Sequence, residues 1–559
     1  MVKRFLNILN IEISGLHQAA YLLGFFAICS QILALFRDRI LAGQFGAGST
    51  LDLYYSAFRI PDILFVSVAS IISISVLIPF LIERFEKSEE AAKDFINTVF
   101  TFFFCLMIFV GLVAFFATPY LMKVLFPAFA DSSRFPELVI LSRILLLSPI
   151  FLGLSNLLAS ITQIHRRFLV YAISPVVYNI GIITGIVFLY PKMGLPGLGF
   201  GVALGALLHL GIQVPFIASQ RMLPRFTFPI KWGSIKTIIL ISLPRTITVS
   251  ANEIAKLFLI SFASFLVPGS ISVFSFALNL QSVPFSIIGV SYSLAAFPSL
   301  TRLFSAGEKD KFLEQMIISA RHIIFWSVPV TILFIVLRAQ IVRTILGAGK
   351  FNWEDTRLTA AALALFVVSL VAQNLVALFV RAYYSQGKTW TPLVINVLSA
   401  VLIVVGSFGL ARLFDDNIFF RHFMESILKV SDLPGTTILM LPFGFSIGVV
   451  VNLIIHWIGF SREYKAFSPA VWRTLFEVFS ASIIMGFVTY QGLAVLDKVF
   501  DINTLYGIFL QGFLAGIAGI IVGIVVLYTL GSKELSEAVD TFRKKIWRAK
   551  IVVPDAELT

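Results

Sequence analysis

Charge is scarce in this chain. Of its 559 residues only 13% are Asp, Glu, Lys or Arg, against 58% hydrophobic, and the mean hydropathy is +0.94. Soluble domains carry about 25% charged residues, so the composition excludes a water-soluble globular protein and points to a polytopic membrane protein. Cysteine is nearly absent. Cys29 and Cys105 both sit in apolar runs, which excludes a disulfide framework and any cysteine-rich metal site. Histidine is rare as well, with 6 residues, and no His/Cys/carboxylate group has metal-ligand spacing. No Gly-Lys-Ser/Thr phosphate loop is found, so no nucleotide-driven pump is expected within this chain. GAGS at 46–49 and GAGK at 347–350 read as loop glycines. No Ser-His-Asp arrangement is arguable, and no enzyme is expected.

What the chain has is long apolar runs. A helix needs about 20 apolar residues to cross a bilayer. Candidate spans fall near 17–40, 51–82, 95–119, 137–163, 171–191, 197–219, 234–265, 270–301, 314–340, 356–384, 391–413, 437–460, 470–496 and 503–531. These predict an all-α fold of about 14 transmembrane helices. Phenylalanine, at 57 residues, suits lipid-facing and interhelical packing.

The net charge of +13 is explained by topology rather than by nucleic acid. Basic residues concentrate in alternate connections: Arg84, Lys87 and Lys93; Arg166 and Arg167; Arg221, Arg225, Lys231 and Lys236; Arg302, Lys309 and Lys311; Lys388; Arg462, Lys465 and Arg473. By the positive-inside rule these are cytoplasmic, with both termini inside. No small-residue cleavage site follows Lys3 and Arg4, so the first helix is expected to act as its own insertion signal. Residues 414–436 mix charge with Phe and predict a short amphipathic surface helix or an interfacial loop. The tail after Gly531 predicts a cytoplasmic helix whose basic face suits anionic lipid.

The chain resembles itself at a separation near 220 residues. PFLIERF from Pro79 echoes PSLTRLF from Pro298, SPVVYN from Ser174 echoes TPLVIN from Thr391, and Gly48-Ser49 echoes Gly269-Ser270. Six helices separate the copies, so they share an orientation. The expected organisation is an N-terminal lobe at 1–230, a C-terminal lobe at 231–460, two further helices at 461–531 and a cytoplasmic tail at 532–559. Parallel repeats of this kind place a substrate site between lobes near the midplane.

The charges that remain in apolar surroundings mark the candidate site. Arg37, Asp38, Arg39, Asp52, Arg59 and Asp62 fall at the junction of two apolar segments, where each unpaired charge costs roughly 2.5–3.5 kcal/mol. Read as sequence, Arg37 and Arg39 end the first helix, and Asp52 and Arg59 lie two turns apart on one face of the second. Guanidinium groups hold phosphate bidentately at any pH. Arg37, Arg39 and Arg59 are therefore the expected anion grip, with Asp52 orienting them or sensing an ion. Interhelical salt bridges at the membrane surface are the competing reading. Asp38, Arg245, Glu253 and Asn279 are secondary candidates, and Glu253 with Lys256 reads as a buried ion pair. Arg143 and Arg381 either line a cavity or snorkel.

The run FRDRILAGQFGAGSTLDLYYSAFRIPD resembles the opening signature of the MurJ/MviN family, the lipid II flippases of peptidoglycan synthesis. IHRRFLVYAISPVVYNIGII, GLGFGVALGALLHLGIQVPF, LPRTITVSANEIAKLFLISFASFLVPGSIS, GKFNWEDTRLTAAAL and RAYYSQGKTWTPLVINV agree in order. The resemblance implies fourteen helices, two lobes around a central cavity, and a place among the multidrug and oligosaccharidyl-lipid exporters. It implies alternating-access movement of an undecaprenyl-pyrophosphate-linked substrate to the outer leaflet of the bacterial inner membrane. Expected partners are membrane lipids and cell-wall synthesis proteins, and the expected drive is the membrane potential or a Na+ or H+ gradient. The resemblance maps family cavity charges onto Arg37, Asp38 and Asp52, and a basic position onto Arg59. Three family arginines are replaced, by Gln31, Phe65 and Asn279, and the family Glu-Gly by Ser70-Ile71. Export of another lipid-linked saccharide or of drugs or cations, and a non-transporting precursor-binding scaffold, are the competing functions.

Overall fold

The computed structural model describes residues 16–68, 74–165 and 167–547, and these residues form helices joined by short turns, without a strand. Ten of the helices are long and apolar enough to cross a membrane, or eleven if Trp353–Val367 and Leu370–Ser385, bent by 41°, form one span. Their ends follow capping rules. In Glu89–Leu125, Ser88 caps the start by accepting from the Ala91 N–H, with Glu89 and Glu90 in the first turn and Lys123 in the last, each charge favourable to the helix dipole.

Two spans differ from the sequence reading. The first helix runs Leu16–Phe45, so Arg37 and Arg39 lie inside it rather than at its end. The second is interrupted at Phe58, giving Ser49–Ala57 and Arg59–Ser67. Asp52 and Arg59 therefore sit on separate helices. Residues 69–73, which include Ser70 and Ile71, lie outside the described residues.

The chain forms two compact units. The larger comprises 1–283, 345–366 and 388–452. One of its cores gathers Leu77, Phe95, Phe103, Leu157 and Ile161. Glycines 181 and 185 face glycines 201 and 205 across two helices, where a Cβ would collide with the facing backbone. Small residues let membrane helices approach closely, because packing drives their association. The smaller unit comprises 284–344, 367–387 and 453–559. Its core is aromatic, with Phe312, Phe379, Phe460 and Phe467 buried. It holds an apolar cavity of about 630 Å³ lined by Phe325, Trp326, Met485, Ile524, Leu527 and Val539.

Intramembrane arginines satisfy backbone carbonyls. Pro119 has no N–H to give Phe115 O four residues earlier. Arg143 Nε supplies that bond at 3.0 Å, and its guanidinium lies 4.5 Å from the Phe115 ring centroid. In the smaller unit Arg381 bonds Val290 O and Ser293 Oγ, beside a π-helical segment, Phe285–Val290, that follows Pro284.

Candidate functional site: a polar latch in the larger unit

Five of the predicted site residues, Arg37, Asp38, Arg39, Asp52 and Asn279, fall into three groups within the larger unit. The first centres on Asp52, in the opening turn of Ser49–Ala57. Its carboxylate, 4% exposed, accepts from Gly269 N at 2.5 Å, Ser272 N at 2.8 Å and Ser272 Oγ at 2.7 Å. These donors form the N-terminus of Ser270–Pro284, which has no acidic residue in its own first turn. Orphan N–H groups and the positive end of the helix dipole make that terminus an anion site. Asp52 fills it from another helix. Gly269 has φ +98° and packs so tightly on Ala47 that a Cβ would overlap its carbonyl oxygen, so glycine is needed there twice over. Gly48-Ser49 and Gly269-Ser270, the matched turns of the sequence repeat, thus meet.

The second group centres on Asp38, which is 3% exposed. Its Oδ1 accepts from Arg37 Nη2 at 2.8 Å and Nε at 3.0 Å, and its Oδ2 accepts from Asn279 Nδ2 at 3.1 Å. Arg37 Nη1 also donates to Asn179 Oδ1 at 3.2 Å. A buried charge pair costs less when its remaining groups are bonded, and here both carboxylate oxygens have partners. Asn279 therefore does not stand free as a cavity-lining group; it joins Ser270–Pro284 to the first helix.

The third group closes the same region through two loops. Lys350 N donates to Gly43 O at 2.8 Å. Gly349, at φ +50°, packs against the Gly43 carbonyl with no room for a Cβ. Arg39 Nη1 donates to Ile345 O at 3.2 Å. Asp355 Oδ2 accepts from Ala47 N at 3.3 Å and Asn352 N at 3.2 Å. GAGS and GAGK are loop glycines, and the two loops lie against each other.

Arg59 stands apart. It pairs with Asp62 at 3.2 Å and donates to Tyr55 O. Lys256 pairs with Glu253 at 2.5 Å, as the spacing suggested. The Arg245 side chain lies outside the described residues. Sequence reasoning missed Gly269, Ser272, Asn179 and the Ile345 carbonyl. The signal for the first two was a helix starting on Ser270, just after Gly269, with no acidic residue in its first turn to meet its dipole.

The family model for the lipid II flippase MurJ matches residues 41–511. The chain belongs to the MurJ family. A probable lipid II flippase MurJ of Buchnera aphidicola subsp. Schizaphis graminum is 29% identical over 385 residues, 68% of this chain and 74% of that one. The lipid II flippase MurJ of Burkholderia cenocepacia is 24% identical over 389 residues, 68% and 75% of the two chains. Among solved structures, a lipid II flippase MurJ in an inward closed conformation superposes with TM-score 0.70 at 20% identity, covering 94% of this chain and all of that one. An inward-facing multidrug resistance MATE transporter of the MOP superfamily gives TM-score 0.62 at 15% identity, over 79% and 96%. The chain thus has the all-helical MurJ/MATE transporter fold.

Proposed function

We propose that this chain moves lipid II, the lipid-linked peptidoglycan precursor, from the cytoplasmic to the outer leaflet of the bacterial inner membrane by alternating access. Family membership supports this reading. The observation that carries it is the Asp52 latch, a set of polar contacts at helix ends that can break without unpacking a core. Both termini are taken as cytoplasmic from the Lys and Arg distribution. That puts 46–48, 264–269 and 346–352 on the outer side, so the structure corresponds to a state closed outward.

In this state Asp38 and Asn179 engage Arg37, and Asn279 donates to the other oxygen of Asp38. When the latch parts, Asp38 loses Asn279, and Arg37 becomes available to a pyrophosphate together with Arg39. The smaller unit by itself offers a 630 Å³ apolar cavity that suits a hydrocarbon chain. The membrane potential or a Na+ or H+ gradient would reset the cycle. Because Asn279 replaces a family arginine and is spent on Asp38, the grip on the pyrophosphate rests on fewer cations. That favours a second reading, transport of another lipid-linked saccharide with a smaller anionic charge. The test is depletion followed by measurement of lipid II in each leaflet. Loss of outer-leaflet lipid II is expected, and unchanged sidedness overturns the assignment.

A further inference from the structure

Residues 414–436 contain a helix, Ile418–Leu428, that begins two residues after the membrane span Trp390–Asp416 ends. It starts on Asn417, whose side chain accepts from Phe420 N, and stops at Lys429 in the left-handed region. Its inner face is fixed. Met424, Glu425 and Leu428 are buried, and the Glu425 carboxylate accepts from Thr436 Oγ1 at 2.6 Å and Arg421 Nε at 3.0 Å. Its outer face carries an apolar stripe at i, i+4 and i+8: Phe419 is 79% exposed, Phe423 54% and Ile427 57%. His422 and Ser426 border the stripe. A rotation of 100° per residue puts them on the adjacent edge.

We propose that this helix is seated in the bilayer surface on the latch side, with Phe419, Phe423 and Ile427 at the acyl-chain boundary, and that it braces the latch. Three observations name the lipid as the occupant. The helix starts two residues after a candidate membrane span ends. The span itself leaves Val405, Phe408 and Leu413 exposed, so both helices carry uncovered apolar side chains. Arg412, Arg421 and Lys429 are exposed beside it, as cations that lipid phosphates would attract. A short helix with one apolar stripe and a cationic edge lies in the interface plane.

The brace is read from contacts on both sides of the helix's return loop. Arg357 grips Asp432 at 2.5 and 2.6 Å and Lys429 O at 2.7 Å. Arg357 sits two residues after Asp355, which holds Ala47. Gly435 packs against Val267, two residues before Gly269, whose N–H is on Asp52. A helix held in lipid therefore fixes both loops that close the latch.

The test uses the full chain, in a Cys29→Ser/Cys105→Ser background, in liposomes. Single nitroxide-labelled cysteines at positions 417–428 are measured for accessibility to oxygen and to a water-soluble nickel chelate. Oxygen preference is expected at 419, 423 and 427, reversing at 422 and 426. Equal, aqueous exposure at all positions overturns the lipid seat and leaves the stripe to a protein partner. For the brace, Gly43→Cys with Ala348→Cys reports closure, because a Cβ at Gly43 would lie 3.2 Å from that of Ala348, near disulfide range. Phe419→Asp/Phe423→Asp is expected to lower the cross-linked fraction; an unchanged fraction overturns the brace. Neither readout involves lipid II, so failure of the flippase reading is separable from failure here.

Discussion

Asp52 accepts from both the backbone N–H and the hydroxyl of Ser272, 220 residues away, at 2.8 and 2.7 Å. A carboxylate on a helix N-terminus gains from charge-assisted bonds worth about 1.5–3 kcal/mol each, less when neighbouring bonds compensate. Asp52→Ala removes every acceptor at once and is expected to shift closure toward opening by about 2 kcal/mol, some thirtyfold in population. Ser272→Ala removes only the hydroxyl and is expected to cost about 1 kcal/mol. Disulfide trapping between Gly43→Cys and Ala348→Cys ranks the variants. Equal trapping in wild type and Asp52→Ala would remove Asp52 from the closing machinery.

Asn279 and Asp38 make a second, separable prediction. Asn279→Leu is nearly isosteric but leaves Asp38 Oδ2 buried without its donor, at a cost of about 1–3 kcal/mol. Asn279→Arg returns a cation to the position where the resemblance places one. It is expected to raise affinity for a pyrophosphate-bearing lipid measured on purified protein, while Asn279→Leu lowers thermal stability. Identical binding by wild type and Asn279→Arg would show that this position does not see the anion.

The fold was legible where burial sets the pattern. Apolar runs mark the spans, because a helix in lipid must satisfy its own backbone. The surface helix after Asp416 was legible from Phe spaced along a charged stretch. The site was legible as a list of residues and not as an arrangement. Arg37, Asp38 and Asp52 stand out because unpaired charge is costly in hydrocarbon, yet their partners are backbone N–H groups and amides with no signature in composition. The break at Phe58 did carry a signal, since Pro61 has no N–H for the Ala57 carbonyl four residues earlier, yet Asp52 and Arg59 were read on one continuous face where two helices exist. The repeat did carry geometric information, since its matched turns at Gly48 and Gly269 meet in the latch.

The link between Arg357 and Asp432 sets a pH dependence outside the membrane. Hydrogen bonding to the Arg357 guanidinium holds the Asp432 carboxyl below its ordinary value. A depressed folded value means stability present above the unfolded pKa and lost as pH falls through the folded one. Asp432→Asn is therefore expected to melt below wild type at pH 7, with the gap closing only in acid below the ordinary carboxylate range. A gap independent of pH would assign the effect to packing.

The apolar cavity of the smaller unit offers a steric test. Ile524 lines it and is about half exposed. Ile524→Trp fills space without adding charge and is expected to cost no more than about 1–3 kcal/mol of stability while reducing transport of a long-chain substrate. A water-soluble, short-chain analogue should bind unchanged. Unaltered transport of the native lipid would remove the tail from this cavity.

Arg143 and Pro119 give a prediction that only their pairing makes. Arg143→Ala leaves Phe115 O without a donor, because residue 119 is proline, and is expected to cost about 1–3 kcal/mol. Pro119→Ala restores a backbone N–H to that carbonyl, so Arg143 becomes redundant there. In Pro119→Ala the further change Arg143→Ala should cost markedly less than in wild type, a coupling of about 1 kcal/mol in a thermal-melt double-mutant cycle. Additive losses would mean that the guanidinium acts through the Phe115 ring instead, and Phe115→Leu would then reproduce the loss.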